Sequence, residues 1–305
     1  MTAPASSPSG LTAASDHIPP HAWFGVSAVF HYLGPAFAVL LFPSIGVLGV
    51  AWLRIATAAA IFAPFTRPWR TFRRADARTR LLLIGLGACL AAMNTAFYLA
   101  LDRLPMSLVA AMEFVAVLAV ALYGVRTWRN LGALTLVVAG VVFLIDIAWV
   151  RDPAGLLWSA MNAALFATYV VMAHKAAETG AGAGVERLGA AMAIALLFLL
   201  PVGFVQALNA LGAPRLILAG LGVGITSSVI PYVCDQLAMS RLPRASFALM
   251  LCLLPALATL IAAIVLAQIP SARDMLGVAL VMAGIAVHAP HPSTSKHKKA
   301  KRDAI

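Results

Sequence analysis

Apolar runs of bilayer length divide almost the whole chain, and they limit its fold more than any other feature. About 20 helical residues cross the hydrocarbon core of a membrane. Only 11% of the residues are charged, against roughly 25% in soluble domains. The sequence therefore predicts an all-α membrane protein with ten transmembrane helices. The predicted spans are residues 21–41, 44–66, 79–101, 105–125, 129–147, 153–174, 187–208, 215–239, 243–268 and 272–289.

Basic residues predict how these spans are oriented, because Lys and Arg accumulate in cytoplasmic loops. Between residues 67 and 80 one loop carries six arginines. This loop, the other loops on the same side of the membrane and the C-terminal tail together carry seventeen basic residues. The loops on the opposite side carry four. We therefore expect both termini to be cytoplasmic. Residues 1–20 are predicted to be a disordered cytoplasmic N-terminus, and residues 290–305 a basic cytoplasmic tail.

Two short patterns recur in the same order and indicate an internal duplication. A-x-x-R-L-P occurs at residues 100–105 and at 238–243, and L-V-x-A-G occurs at 136–140 and at 280–284. The duplicated units are predicted at residues 21–147 and 153–289. Because each unit holds five spans, the second enters the membrane from the opposite face. Inverted repeats of this kind are typical of secondary transporters, whose site lies near the midplane between the halves.

The third and fourth predicted spans also resemble a known family. Residues 93–101, 104–105, 111–114 and 118–122 resemble the drug/metabolite transporter superfamily, and more narrowly its threonine/homoserine exporter branch, of the EamA type. Arg54, Pro68-Trp69-Arg70, Ile230-Pro231-Tyr232 and Asp235 also fit that branch. The resemblance implies ten helices in two inverted five-helix repeats, the bacterial plasma (inner) membrane as location, and secondary export of small metabolites, amino acids in this branch. Two residues depart from the family pattern: Val117 stands where a proline is usual, and Gln268 where an acidic residue is usual.

Glu113 lies inside an apolar run with no basic residue nearer in sequence than Arg103 or Arg126. An ionisable group at such a depth costs at least ~2.5 kcal/mol and is normally kept for function. It is a candidate for proton coupling or for binding the ammonium group of a transported amino acid. The alternative is a carboxylate that joins helices by pairing with Arg54 or with a Ser hydroxyl. One residue can serve both purposes.

Arg54 is placed deep in the second predicted span and is expected to face the bundle interior. Its planar guanidinium suits the carboxylate of a substrate. It suits equally a permanent role as counter-ion of Glu113 or Asp235. The sequence leaves both readings open.

Further polar residues are candidates for the wall of a cavity. Asn94 and Tyr98 share one face of the third predicted span, as Ser228, Tyr232 and Asp235 share one face of the eighth. The Asn and Tyr side chains suit interhelical hydrogen bonding as well as ligand contact. For Asp235 a solvated gate competes with a site role, and His31 is a relay candidate that also suits simple packing. Pro231 is expected to kink its helix and to free a carbonyl group. Secondary candidates are Asn162, Tyr169 and His174.

The expected partners are a small-molecule substrate, protons as a hypothesis, and anionic lipids at the cytoplasmic basic loops and tail. No nucleic acid, cofactor or metal is expected, and the sequence does not predict an oligomeric state. No phosphate-binding loop of the GxxxxGK[ST] kind occurs, which argues against ATP as the energy source. Other exporters of the same fold, for metabolites or hydrophobic cations, remain alternatives. An integral-membrane enzyme would need a reactive cluster such as HExxH, which the sequence lacks, and a non-transporting scaffold is the third reading.

Overall fold

The computed structural model describes residues 19–124, 127–145, 152–177, 181–239, 250 and 253–287. Their regular structure is helical throughout, and the described residues contain no strand. Residues 208–212 form a 3₁₀ turn and residues 225–229 a π-helical segment. The predicted N-terminal segment and basic tail lie outside the described residues, apart from the last two positions of the former. The α-helices are α1 (Pro20–Ile45), α2 (Val47–Thr66), α3 (Pro68–Arg74), α4 (Ala77–Leu101), α5 (Met106–Gly124), α6 (Trp128–Leu144), α7 (Pro153–Ala177), α8 (Ala181–Ala207), α9 (Pro214–Gly224), α10 (Ile230–Met239), α11 (Leu254–Leu266) and α12 (Ala272–Val287).

Six helical stretches of the described chain are long and apolar enough to cross a membrane by length and composition. Three shorter apolar helices accompany them, at Met106–Ala119, Trp128–Leu144 and Leu254–Leu266. An all-helical membrane protein is thereby confirmed, while the count of ten spans stays a prediction. Part of the predicted span 243–268 lies outside the described residues. The six long stretches are His21–Ile45, Val47–Thr66, Ala77–Leu101, Pro153–Ala173, Val185–Ala210 and Pro214–Asp235.

The first two spans are separated at Gly46 and not at residues 42–44, so this predicted boundary is wrong. α1 continues through Pro35 and Pro43 to Ile45. Proline removes one backbone donor but does not by itself end a helix in its last turn. Gly46 does end it, because its φ of 93° is not a helical angle. Residues with a Cβ rarely adopt this φ, whereas glycine does so readily.

The basic loop between the second and third spans contains a further helix, α3, which the hydropathy pattern did not predict. Its seven residues are too few and too basic for a span. Arg67 precedes it with a φ of 45°, the left-handed conformation, which turns the chain sharply out of α2. The segment therefore runs beside the helix ends as an ordered element.

Helices from the two predicted units pack against one another in matched pairs. α2 packs on α8 and α6 on α12, while α1 packs on α10 and α4 on α7. By position in the two predicted units, α1 corresponds to α7 and α4 to α10. When each helix is exchanged with its counterpart, the α1–α10 pair becomes the α7–α4 pair, so the pattern is unchanged. Such a pattern is what a duplicated frame related by a two-fold axis predicts.

The contact between α6 and α12 repeats in atomic detail. A Cβ added to Gly140 would lie within 3.0 Å of the Gly277 carbonyl oxygen and of the Val281 backbone nitrogen. A Cβ added to Gly284 would meet the Ala133 carbonyl oxygen and the Val137 backbone nitrogen at comparable distances. Each residue of the Gly140 contact is separated from its counterpart in the Gly284 contact by the same offset as the two L-V-x-A-G patterns. The close approach of these two helices therefore requires glycine at both equivalent positions.

Polar side chains of the second unit cap helices of the first. Gln206 Oε1 accepts hydrogen bonds from the backbone N–H groups of Leu48 and Gly49, at 3.0 and 3.2 Å, where α2 begins. Gln268 Oε1 accepts one from the Met106 N–H at 3.1 Å, where α5 begins. Amide donors at a helix start have no partner within the helix, so these contacts satisfy them. Gln268 thus provides an acceptor at the position where the family pattern has an acidic residue.

At the same end of the bundle, Arg103 and Asp152 form an ion pair of 3.3 Å between α4 and α7. Asp152 Oδ1 also accepts a hydrogen bond of 2.9 Å from the Gly155 N–H. This backbone hydrogen bond, together with Arg103, holds the pKa of Asp152 below its usual value. The predicted loops around residues 103 and 152 therefore lie on one face of the protein.

Candidate functional site

Glu113 lies on α5 with only 7% of its surface exposed, and its partner is an amide of α7. The Nδ2 group of Asn162 donates a hydrogen bond of 2.8 Å to Glu113 Oε1. Asn162 itself is completely buried. The interaction joins the first predicted unit to the second. It also stabilises a carboxylate that the apolar sequence around it leaves without a local partner.

Two acceptors close to this contact lack a donor. The Asn162 Oδ1 and the Ser159 Oγ are buried and form no hydrogen bond within the described chain. Ser159 precedes Asn162 by three residues on α7, so both side chains lie on one helix face. A buried polar atom without a partner costs about 1–3 kcal/mol. This region therefore favours a bound group that brings donors, such as an ammonium or a hydroxyl.

Arg54 contacts the second unit through backbone and hydroxyl oxygens. Its Nη2 donates to the Ser227 carbonyl oxygen and its Nε to the Ser228 Oγ, both at 3.0 Å. The guanidinium carbon lies 5.6 Å from the centre of the Tyr98 ring, a cation–π distance. Among the described residues, neither Glu113 nor Asp235 forms an ion pair with Arg54. The counter-ion reading of Arg54 therefore stays a prediction, since its charge acts on Glu113 without a direct contact.

Pro231 explains why the Ser227 carbonyl is available to Arg54. In a regular helix the residue at position 231 would donate its N–H to the carbonyl four residues earlier, which is that of Ser227. Proline has no N–H, and the helix widens here into the π-segment Ile225–Val229, where the Ile230 N–H bonds to the Ile225 carbonyl. The freed carbonyl stays a prediction, which the contact of Arg54 with the Ser227 carbonyl oxygen supports. π-Segments often occur at functional sites.

Asp235 lies on α10, one helical turn after Pro231, and is tied to α1. The Ser27 Oγ donates to Asp235 Oδ1 at 2.6 Å and lies 3.2 Å from the Pro231 carbonyl oxygen. Ser27 is buried, whereas Asp235 is partly exposed. Among the described residues, the side chain that contacts the Asp235 carboxylate is thus Ser27, and no ion pair joins Asp235 to Arg54.

Asn94 and Tyr98 lie on one face of α4, as predicted. Asn94 Nδ2 donates to the Ala51 carbonyl oxygen at 3.1 Å, while its Oδ1 is buried without a donor. Tyr98 is completely buried, and its hydroxyl also lacks a partner among the described residues. Its ring packs edge-on against Phe42 at 5.6 Å. Asn94 thus joins helices and still presents an acceptor, which supports both of its predicted readings.

Tyr232 and His31 are at the margin of this arrangement. The Tyr232 hydroxyl interacts with that of Tyr169 on α7, a secondary candidate of the sequence. His31 packs edge-on against Tyr32 at 5.3 Å and is partly buried. The charge of Arg54 acts on both Tyr232 and His31. His174 is helical, and its side chain lies outside the described part of the structure.

The structure thus brings together a group that we call the polar centre: Glu113 with Asn162, and Arg54 with Tyr98 and Ser227. It combines a buried carboxylate, a partly buried cation and several polar atoms that have no hydrogen-bond partner among the described residues. Asn162, a secondary candidate of the sequence, is the hydrogen-bond partner of Glu113, and Ser227 is not among the residues named from the sequence. Ser227 had a signal, because in a regular helix a proline removes the backbone donor of the residue four positions earlier. For Asn162 no local signal exists, since its role depends on how α5 and α7 pack.

Comparisons with known proteins identify the family of this chain. The sequence model of the EamA-like transporter family matches residues 153–289. The threonine/homoserine exporter RhtA of Escherichia coli strain K12 is 33% identical over 254 residues, which cover 82% of this chain and 84% of that protein. RhtA of Salmonella typhimurium strain LT2 is 31% identical over 250 residues, with the same coverage.

A protein of known crystal structure aligns with 92% of this chain and 99% of its own, at a TM-score of 0.51 and 21% identity. At that identity it supports the fold alone. The RhtA relatives, by contrast, exceed 30% identity over most of both chains, and the apolar helices provide the spans that a transporter needs. The chain is therefore a multi-pass membrane transporter that belongs to the EamA-like transporter family, within the drug/metabolite transporter superfamily, and is similar to RhtA.

Proposed function

We propose that this protein is a secondary-active exporter of small amino acids, of the size and polarity of threonine and homoserine, that works by alternating access. The single observation that carries the proposal is the buried Glu113–Asn162 pair, with acceptors on α7 that no described residue donates to. The curated relatives named threonine/homoserine exporters support the substrate class.

The polar centre offers complementary groups for a zwitterionic amino acid. Glu113 and the Asn162 Oδ1 accept hydrogen bonds from an ammonium group, and the Ser159 Oγ can accept one from a side-chain hydroxyl. Arg54 presents a planar fork of donors to a carboxylate. In this structure two of its five N–H donors bond to Ser227 and Ser228, so three remain for a carboxylate. Because the same guanidinium contacts the π-segment, carboxylate binding would link the substrate to the position of that segment.

Proton coupling is the second part of the proposal. A carboxylate in a site of low dielectric constant is more easily protonated than one in water, since burial disfavours the charged form. Glu113 can then hold either a proton or the substrate ammonium, and the exchange of one for the other would couple proton entry down its gradient to export of the substrate.

The frame of the transporter is proposed to consist of two inverted five-helix repeats, at residues 21–147 and 153–289. The matched helix pairs and the equivalent contacts of Gly140 and Gly284 support this duplication. The excess of basic residues supports an inner-membrane location with both termini cytoplasmic. The same basic segments would contact the anionic lipids of that leaflet.

Efflux from loaded proteoliposomes tests this function. Purified protein is reconstituted into vesicles filled with labelled threonine, homoserine, leucine, glutamate, lysine or a hydrophobic cation. We expect faster efflux of threonine and homoserine than of leucine or the charged amino acids. Efflux of the hydrophobic cation alone would overturn the amino-acid assignment and favour a drug exporter. No efflux of any solute from correctly oriented protein would overturn the transport proposal.

A further inference from the structure

A second site lies at the end of the bundle that carries the basic loop. A cavity of about 780 Å³ opens there between the end of α2, the short helix α3, the start of α4 and the start of α8. Thr66, in its wall, follows Arg54 by twelve residues on α2, or about 18 Å along the helix axis. The cavity is therefore separate from the polar centre. Its volume is in the range of small-ligand sites, about 300–1,000 Å³.

The cavity is built by ordered backbone. α2 and α8 approach so closely that a Cβ at Gly189 would overlap with the Thr66 side chain. The left-handed turn at Arg67 then directs α3 across the end of the bundle. The Thr71 Oγ1 lies 3.2 Å from the Thr66 carbonyl oxygen and attaches α3 to α2. The left-handed conformation of a non-glycine residue such as Arg67 costs about 1–3 kcal/mol of conformational energy and often marks a functional segment.

The charge of the cavity wall is strongly positive. Four arginines line it, Arg67, Arg70, Arg74 and Arg187, against the two carboxylates of Asp76 and Glu186. Asp76 is engaged in capping α4, where its Oδ1 accepts from the Thr79 N–H at 3.4 Å. Arg67, Arg70 and Arg74 form no ion pair with any described residue. Arg70 and Arg74 are four residues apart, so both project from the same face of α3.

A phosphate group fits this chemistry. Guanidinium groups bind phosphate through paired N–H donors, and several of them around one cavity match its charge and its tetrahedral oxygens. We propose that the cavity between α2, α3, α4 and α8 binds a phosphate group, presented either by a phospholipid headgroup or by a soluble phosphate. Phe65, also in the wall and 79% exposed, is available to contact the acyl chain of a lipid. The site would hold one ligand, unlike the diffuse attraction of basic loops to a membrane.

Two binding measurements on the full chain distinguish the sources. In the lipid arm, the protein is purified from mixed phosphatidylcholine and phosphatidylglycerol, and retained phosphatidylglycerol is counted by native mass spectrometry. In the soluble arm, protein in nanodiscs of phosphatidylcholine alone is dialysed against labelled inorganic phosphate. The test variant is Arg70→Gln with Arg74→Gln. Its charge-matched control is Arg73→Gln with Arg78→Gln, two exposed arginines of the same segment that do not line the cavity.

A third variant, Ala75→Phe, keeps every charge and fills the cavity. Ala75 lines it in an extended conformation that phenylalanine also adopts. We expect the test variant and Ala75→Phe to weaken binding about tenfold, equivalent to about 1.4 kcal/mol, and the control to stay within about twofold. All variants are compared by gel filtration and thermal unfolding, so that only folded protein is scored.

The pattern of losses decides both the site and the ligand. Losses confined to the lipid arm identify a phospholipid headgroup, and losses confined to the phosphate arm identify a soluble ligand. Equal effects of the test and control pairs would overturn the proposal, because the attraction would then be diffuse. Unchanged binding by Ala75→Phe, or no saturable binding by the wild type in either arm, would also overturn it.

Discussion

Asn162 donates a 2.8 Å hydrogen bond to Glu113, while its own amide oxygen has no donor within the described part of the chain. One side chain thus stabilises the buried carboxylate of α5 and presents an acceptor next to it. The pair lies between α5 and α7, which belong to different predicted units. A change in the packing of these helices would therefore change the environment of Glu113 directly.

Glu113→Gln keeps the size of the side chain and an acceptor for Asn162 but removes the titratable group. We expect threonine efflux to fall at least about tenfold, a factor that corresponds to about 1.4 kcal/mol. We also expect the remaining efflux to be independent of a pH gradient. The measurement is efflux from proteoliposomes with and without an imposed gradient. Wild-type dependence on the gradient in this variant would exclude Glu113 as the coupling residue.

Asn162→Ala leaves Glu113 buried without its donor, so we expect the free energy of unfolding to fall by about 1–3 kcal/mol and efflux to fall with it. Ser159→Ala is the matched control on the same face of α7. Its hydroxyl has no partner among the described residues, so its removal leaves none of their groups unpaired. Thermal unfolding in detergent compares the two. Equal destabilisation by both variants would indicate a general packing effect of this helix face.

Pro231→Ala restores an N–H that competes with Arg54 for the Ser227 carbonyl oxygen. We expect the π-segment to tighten and efflux to decrease about three- to tenfold, as for the loss of one hydrogen bond of about 0.5–1.5 kcal/mol. Pro201→Ala, an exposed proline inside α8, is the control and should transport normally. If Pro231→Ala transports at the wild-type rate, the contact between Arg54 and Ser227 has no part in the cycle.

Gln268→Met removes the acceptor that caps the start of α5 at nearly constant volume. We expect it to lower the free energy of unfolding by about 1 kcal/mol. Gln268→Glu retains the acceptor and places a negative charge at a helix N-terminus, which is favourable. It should therefore be at least as stable as the wild type in thermal unfolding. A stable Gln268→Met variant together with an unstable Gln268→Glu variant would contradict this account of the cap.

The Asp152–Arg103 ion pair gives a pH dependence whose sign follows from the lowered pKa of Asp152. A carboxylate with a folded-state pKa below its unfolded value stabilises the protein above the unfolded value, about 4. That stabilisation is lost as the pH falls through the folded-state pKa. Asp152→Asn should be slightly less stable at neutral pH and should lose less stability on acidification. The midpoint of thermal unfolding between pH 3 and pH 7, about the range in which Asp titrates, measures both. Parallel curves for the variant and wild type would contradict it.

Several elements were predictable because they depend on local patterns. The approximate positions of most apolar helices follow from hydropathy. Pro231 predicts a freed carbonyl group. The predicted break after α1 lies beside Pro43, because proline is a common helix breaker. The structure places it at Gly46, whose positive φ is set by the geometry of the turn. α3 was missed because hydropathy detects spans and not short basic helices at helix ends.

The sequence by itself determined that this chain spans a membrane, that its family is that of the EamA-like transporters, and that Glu113 needs a special environment. These conclusions depend on composition, on motifs and on the energetic cost of an acid in an apolar run. Only the tertiary structure decided that Asn162 is the direct partner of Glu113, whereas Arg54 reaches Ser227, Ser228 and Tyr98. Hydrogen bonds act over about 3 Å, and which groups come that close depends on how helices distant in sequence pack against each other.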